Sequence, residues 1–499
     1  MGRRRGPWID AAVYGGSVAA TAVLLAVERI PLQLDWARAA VGPYTAAFLL
    51  ALAVALSRRG GTVVRGALAA SVFIAVTAVP LAGKVTARLE GRPSAVQSET
   101  LLTEQAAGAL LRGENPYAVS YRDGPLAAWP PSAWLYLPYL PGVMAFGLPR
   151  AVLGPGPFTD ARVLLGLVAL AAAAAAATLS RAPPGRWIPA LLFLFVLPTG
   201  PRDQIGGGDD VVVLSLMLLS LTLVERRSPR SAGVALGVAA AIKQTAWPLV
   251  PFAAAAARFP SGRPAATRFL AASAMIVAVT AAPFLAWDPG AFVRDTVLYP
   301  MGLGTHPTLA GDRTLGRWLI ETFPAARGAL LVLLPAAVLA TGAVLLLRRR
   351  PTSAQAAARH TAVLLILAIL LATAGRFGYL MYPINLLAWG WLVLRRAPRD
   401  REPDTISPPS PARTRLLDRS PDGSATSSAR LTGGPCRRAA GTTAWASSTS
   451  RAGSSPSTGP RSRTPSTGGA APGWPWSPAS CAPTATGGTW PPPWPETTA

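Results

Sequence analysis

Residues 328–347 read GALLVLLPAAVLATGAVLLL, twenty residues without a charge, and Arg348-Arg349-Arg350 follow at once. At a rise of about 1.5 Å per residue, a helix of that length spans about 30 Å, the thickness of the hydrocarbon core of a bilayer. A cluster of Arg directly after such a run is the mark of a helix end held on the cytoplasmic side. This one stretch therefore places the chain among membrane proteins and gives one of its helices a direction.

Runs of the same kind recur. Twelve hydrophobic segments are expected, at 11–27, 40–56, 67–83, 132–148, 161–179, 187–198, 211–224, 232–257, 269–286, 327–347, 358–374 and 378–394. They predict an all-α, polytopic helical bundle over residues 1–398. Of the 499 residues, 51% are hydrophobic and only 14% charged. A water-facing surface needs about a quarter charged residues, so a soluble enzyme is excluded. The formal charge of +24 carries no sign of nucleic acid binding in this setting, because most of it sits in Arg clusters that orient helices.

Composition changes near residue 399. Residues 400–499 hold 17 of the 50 prolines and only four residues from Leu, Ile, Val and Phe. Such a segment cannot bury enough apolar surface to offset its ordering entropy, so 399–499 is expected to be a disordered tail. Both cysteines, Cys436 and Cys481, fall in it, which leaves the membrane part without a disulfide or cysteine metal site.

Arg3–Arg5, Arg58/Arg59/Arg65, Arg348–Arg350 and Arg395/Arg396/Arg399 are all expected on the cytoplasmic side of the plasma membrane, with both chain ends. Twelve full spans would put Arg226, Arg227 and Arg230 outside. Reading the short 187–198 and the Lys243-interrupted 232–257 as re-entrant returns Arg226–Arg230 and Arg258–Arg268 to the cytoplasmic side. The loops 84–131 and 288–326 then face outward. Broken backbone at membrane depth needs a protein or water cover, so this topology predicts a polar cavity near the outer leaflet.

Four sets of residues carry a resemblance. Glu99-x3-Thr103-x2-Ala106 precedes Leu110-Leu111-Arg112-Gly113-Glu114-Asn115-Pro116-Tyr117, and Trp129-Pro130-Pro131 opens the next segment. Gly208-Asp209-Asp210 leads into 211–224. Ala232-Gly233-x2-Leu236-Gly237-x4-Ile242-Lys243-x4-Pro248 and Pro283-Phe284 with Trp287-Asp288-Pro289 and Phe292 complete the set. Together, over residues 95–300, the chain resembles the polyprenyl-phosphate-dependent glycosyltransferases of the GT-C superfamily, closest to glycosyltransferase family 87. It departs from them with Glu99 for an Asp, Thr103 for an aromatic, and Gly-Asp-Asp for Gly-Gln.

The resemblance implies an inverting transferase. It would move a hexose, mannose or another, from a polyprenyl-phosphate-linked donor to a lipid-linked or cell-envelope glycan acceptor on the outer face, in contact with membrane lipids. Such chemistry needs a carboxylate to take the acceptor hydroxyl proton and cationic groups to stabilise the departing phosphate. Glu99 is the leading base, because on a helix it shares a face with Thr103, Ala106 and Leu110 while Glu104 and Arg112 point away. The alternative is a helix-start carboxylate favoured by the dipole, with Ser98 as cap. Asp35, in the first external loop, is the rival base. Lys243, at the centre of an apolar segment, needs a partner: a donor phosphate, or an internal ion pair with Asp209 or Asp210. Arg376 and Arg202 are further candidates for the donor phosphate. Asn115, Tyr117, Gln244 and His306 are candidates for the substrate. Asp209 and Asp210 would either hold a divalent cation such as Mg or Mn or cap the following helix.

No nucleotide-binding loop or zinc-ligand spacing occurs. The competing readings are a transporter or flippase of a lipid-linked saccharide, which also uses discontinuous segments with intramembrane charge, and an inactive relative of the family.

Overall fold

A backbone in hydrocarbon has no water to satisfy its N–H and C=O groups, so each long apolar run closes on itself as a helix. The computed structural model describes residues 6–57, 61–92, 95–127 and 129–395, all within one compact unit. Arg3–Arg5, Arg58, Arg59, Arg396, Arg399 and the whole 399–499 segment with its cysteines lie outside the described residues. The architecture is all-α. Among the described residues no strand forms, and an isolated bridge joins Gly311 to Gly375.

Among the described residues seven helices are long and apolar enough to cross a membrane: Gly6–Val27, Pro31–Ser57, Thr62–Leu89, Ala161–Leu179, Ser261–Trp287, Pro324–Arg348 and Ala354–Leu371. Six of them contain an expected segment, and Ala354–Leu371 covers residues 358–371 of the segment 358–374. Thr62–Leu89 carries Pro80, which cannot donate to the Val76 carbonyl four residues back. A π turn at Ile74–Ala78 absorbs the mismatch, and the Trp36 indole N–H donates to the freed Val76 oxygen at 2.8 Å.

Ion pairs and hydrogen bonds at the helix ends sort the bundle into two ends. At one end Arg65 donates to Asp10 at 2.5 Å, and Arg186 donates to the carbonyls of Leu392 and Arg395. Arg181, Arg226, Arg227 and Arg395 surround one recess there, and Arg230 and Arg268 share another. At the opposite end Lys84 pairs with Asp35, and Arg88 bridges Glu104 and Asp160. Fully buried Arg162 grips Asp160 and donates to the carbonyls of Ala95 and Ile205.

Three expectations meet this arrangement differently. The segment 232–257 reverses at Lys243 and forms a hairpin. Pro229–Ile242 runs in, the chain breaks at Lys243, and the helix from Leu249 returns before a second break at Gly262 (φ 77°). Arg230 and Arg268 consequently share an end. The close approach that makes this possible is a small-residue stripe: Gly233 and Gly237 lie against Phe269 and Ser273, and Ser273 donates to the Gly233 carbonyl at 2.9 Å.

The segment 187–198 is not re-entrant. Pro184–Phe195 continues through Thr199–Gly206 to the opposite end, where Arg162 meets Ile205. Nor is 132–148 a span. It breaks into Pro131–Trp134, Pro141–Val143 and Met144–Leu153, because Pro138 and Pro141 lack donors a continuous helix needs. Both of its ends stay at the same end of the bundle: the Tyr121 N–H donates to the Trp134 carbonyl, and Arg150 pairs with Glu104. The two differences cancel in the count of crossings, so the placement of later segments is unchanged.

In a background with both cysteines replaced by Ser, single cysteines at Ser228 and Ser261 should be labelled from one side of the membrane. Cysteines at Gly154 and Thr308 should be labelled from the other side. Labelling of Gly154→Cys together with Ser228→Cys would restore 132–148 as a crossing.

Candidate active site

The site begins where a helix is made to stop. Pro248 has no N–H to offer the Gln244 carbonyl and Pro251 none for Trp247, so the helix from Pro229 cannot run on through them. Lys243 is extended (φ −149°, ψ 142°), and one 3-10 turn, Gln244–Ala246, leads into the returning helix. The exposed carbonyls at the break are recovered locally. The Trp247 indole donates to the Ala240 oxygen at 2.9 Å, and the Leu140 N–H to the Ile242 oxygen at 3.3 Å.

Lys243 enters a carboxylate pair at this break. Its ammonium donates to Asp209 Oδ1 at 2.6 Å and to Asp210 Oδ1 at 2.5 Å. The Tyr382 hydroxyl also donates to Asp210, at 2.7 Å, and receives a hydrogen bond from Thr245. The Tyr379 ring centroid lies 5.3 Å from the ammonium, within cation–π range. The two acids are free to face Lys243 because neither caps the helix Asp210–Glu225 with its side chain; Asp203 accepts the Val211 N–H at 3.0 Å instead. The turn that presents them needs Gly207, whose φ of 94° and tight contact with Thr100 and Arg162 leave no room for a Cβ.

Glu99 arrives from another element, in the first turn of Ser98–Leu111. Its Oε1 lies 2.6 Å from Arg376 Nη1 across 277 residues of sequence. Ser98 does not cap that helix; Gln97 holds the cap position without a side-chain bond. Arg376 stands on the extended connection between Ala354–Leu371 and Met381–Leu392. That connection is pinned by the Asp312 N–H on the Gly375 carbonyl and by Thr314 on the Ala372 carbonyl. The neighbouring Glu99 carboxylate holds the Arg376 guanidinium above its ordinary range.

Glu99, Lys243 and Arg376 line a single cavity of about 480 Å³, together with Gln244, Tyr139 and Tyr379. Its far wall is apolar and includes Val277 and Ala281 of the span Ser261–Trp287. On that helix Met275 and Val279 are exposed, so the wall separates the cavity from the lipid-facing side. A space of this size, mostly apolar with a few convergent charges, is the usual form of a ligand site.

The other residues named from sequence lie elsewhere. Asp35 is inside the helix Pro31–Ser57 rather than in a loop, half-exposed and paired with Lys84 at 2.8 Å and Arg38 at 3.8 Å. Arg202 is taken by Gln33 and Glu28. Asn115 accepts the Tyr117 N–H, and Tyr117 is a core residue, packed edge-on against Phe284 and Phe292 with its hydroxyl on the Tyr139 carbonyl. His306 contacts Thr305, which in turn bonds Tyr136 on the cavity wall. Gln244 lines the cavity but donates to the Thr296 carbonyl.

Among the described residues no group of three or more His, Cys, Asp or Glu is placed to hold a metal ion. The Asp209–Asp210 pair faces the Lys243 ammonium.

Glu104 is not the solvated residue that its helix face suggests: it is buried, and it bonds Arg88, Arg150 and the Ala161 N–H. Asp295 was not legible at all. It accepts the Leu137 N–H at 2.9 Å and pairs with Arg294, which also donates to the Tyr117 carbonyl, so it ties the 288–300 segment to the cavity wall. Burial pushes its carboxyl up to about 6 against the lowering effect of those two bonds.

Residues 136–374 match the family model of glycosyltransferase family 87, consistent with a membrane glycosyltransferase of the GT-C superfamily. No curated protein and no solved structure gives a match. The matched region begins at the cavity wall and ends two residues before Arg376. It includes Lys243 and both of its acids but not Glu99.

Lys243→Met should lower stability in detergent by about 3–5 kcal/mol, because two carboxylates lose their counter-charge. Adding Asp209→Asn and Asp210→Asn should recover much of that loss. Thermal melting of the single and triple variants checks this, and strictly additive losses would mean that the three side chains are not coupled.

Proposed function

We propose that the chain transfers a hexose, mannose or another, from a polyprenyl-phosphate-linked donor to a lipid-linked or cell-envelope glycan acceptor at the outer face of the plasma membrane. In this reading the clustered Arg end and both chain termini are cytoplasmic. The observation that carries it is that one carboxylate and two cations, from three distant parts of the chain, line one cavity with an apolar wall beside the lipid.

Each group has the donors its role needs. An ammonium has three N–H donors, and Asp209 and Asp210 account for two of those on Lys243, leaving one for a donor phosphate. Arg376 has five, with one on Glu99 and its side chain 38% exposed, so a phosphate can reach it. As the phosphate engages Arg376 it competes with Glu99, which frees that carboxylate to act as a base. The acceptor hydroxyl oxygen then attacks the anomeric carbon from the face opposite the phosphate. The new C–O bond forms as the bond to the phosphate oxygen breaks, the hydroxyl proton passes to Glu99, and the lipid phosphate leaves with the electron pair, held by Arg376 and Lys243. Configuration at the anomeric carbon is inverted. Lys243 supplies the positive charge at the Asp209–Asp210 pair, so the reaction requires no added Mg or Mn.

Glu99→Gln should lower transfer by about 10²–10⁴-fold while the donor is still bound. Asp35→Asn and added chelator should leave transfer unchanged. Membranes incubated with radiolabelled polyprenyl-phosphate hexose check all three. Movement of an intact lipid-linked saccharide across vesicles without transfer would replace this reading with the transporter.

A further inference from the structure

At the end of the bundle opposite the catalytic cavity lies a recess of about 740 Å³ at the ends of four apolar helices. Arg181, Arg226, Arg227 and Arg395 stand around it, exposed. Among the described residues none of their guanidiniums has a hydrogen-bond or ion-pair partner. Glu225 is the one acid in the lining, and Leu179, Ala182, Val393 and Leu394 give the recess an apolar floor.

One residue is held there against its backbone preference. The helix Asp210–Glu225 ends in a Schellman turn: the Ser228 N–H donates to the Leu223 carbonyl and the Arg227 N–H to the Val224 carbonyl. The left-handed position of that turn is usually glycine. Here it is Arg227, at φ 59°, which among the described residues is the one non-glycine with positive φ. A residue kept in a disfavoured conformation points to a demand on its side chain rather than on the turn.

We propose that this recess binds the phosphate headgroup of an anionic phospholipid, whose acyl chains continue along the apolar helix ends. The charge is complementary, and the position, at the end of spanning helices, is where a headgroup lies. Chain orientation alone needs only that Arg be near this end; it does not need four guanidiniums around one cavity or a strained turn. The proposal is independent of the sugar-transfer reading.

The test uses the full chain, purified in neutral detergent and offered phosphatidylglycerol, phosphatidylcholine or inorganic phosphate, with bound lipid read by native mass spectrometry. Wild type should retain phosphatidylglycerol in preference to phosphatidylcholine. Each guanidinium removed in the series Arg226→Gln, Arg227→Gln and Arg395→Gln should weaken retention about fivefold. Arg227→Gly gives a second readout. It should melt at or above wild type without lipid, because the turn is relieved, and still lose phosphatidylglycerol. Retention unchanged in the triple variant, equal retention of phosphatidylcholine, or displacement by inorganic phosphate below millimolar would overturn the assignment.

Discussion

Lys243 between Asp209 and Asp210 is the constraint on which the site depends. A charged group at membrane depth is tolerated only with a partner, and a broken helix only where its polar groups are recovered. Both conditions are met at one place. The hairpin must turn where its lysine meets the two acids, and the acids must face it, which requires the Gly207 turn and leaves capping to Asp203. Because Tyr382 also holds Asp210, the last helix is tied to the same point. The helices Asp210–Glu225 and Met381–Leu392 therefore cannot move independently of the hairpin tip without exposing an unpaired charge.

A second network places Glu99. Its helix, Ser98–Leu111, is not a span and has no lipid-facing run to anchor it. Glu104, one turn further on, does the anchoring through Arg88, Arg150 and the Ala161 N–H, and Arg162 closes the arrangement on the carbonyls of Ala95 and Ile205. Thr100 reaches the Gly206 carbonyl as well, beside the Gly207 turn. Glu99 and Lys243 thus share a frame: the helix that carries Glu99 rests on the loop that presents the lysine's acids.

How much of this was legible follows from range. The spans were legible because hydrophobic length is a local property, as 328–347 illustrates. The hairpin was legible too, since Lys243, Pro248 and Pro251 interrupt a run that would otherwise be continuous. The segment 132–148 misled because its average hydrophobicity is that of a span while Pro138 and Pro141 deny it the hydrogen bonds of one. In 187–198 the apolar part is short, but Thr199–Gly206 extends it, with Arg202, Asp203 and Gln204 bonded internally. Glu99 and Lys243 could be singled out by chemistry, and both line the cavity. Arg376 joined them only as a named candidate, because no local pattern links it to a carboxylate 277 positions away. The partners of Glu104, at Arg88 and Arg150, carried no signal for the same reason. Asp35 and Arg202 had the right chemistry and lay near the right end, but each finds its counter-charge next to it.

The distribution of acids explains why one residue type, Arg, serves two purposes in this chain. Apart from Asp10 and Glu225, every acid between residues 6 and 395 lies at the end that carries the cavity. There Arg88, Arg162, Arg202, Arg294 and Arg376 are all engaged by carboxylates, and they act as fixed struts in a partly buried frame. At the other end Arg65 has Asp10 and Arg186 is engaged, while among the described residues Arg181, Arg226, Arg227 and Arg395 around the recess form no ion pair. A guanidinium stays charged at any physiological pH, so the missing counter-charges must come from solvent or from lipid. The asymmetry that orients the helices is for that reason also what leaves one end of the bundle with charge to offer an anion.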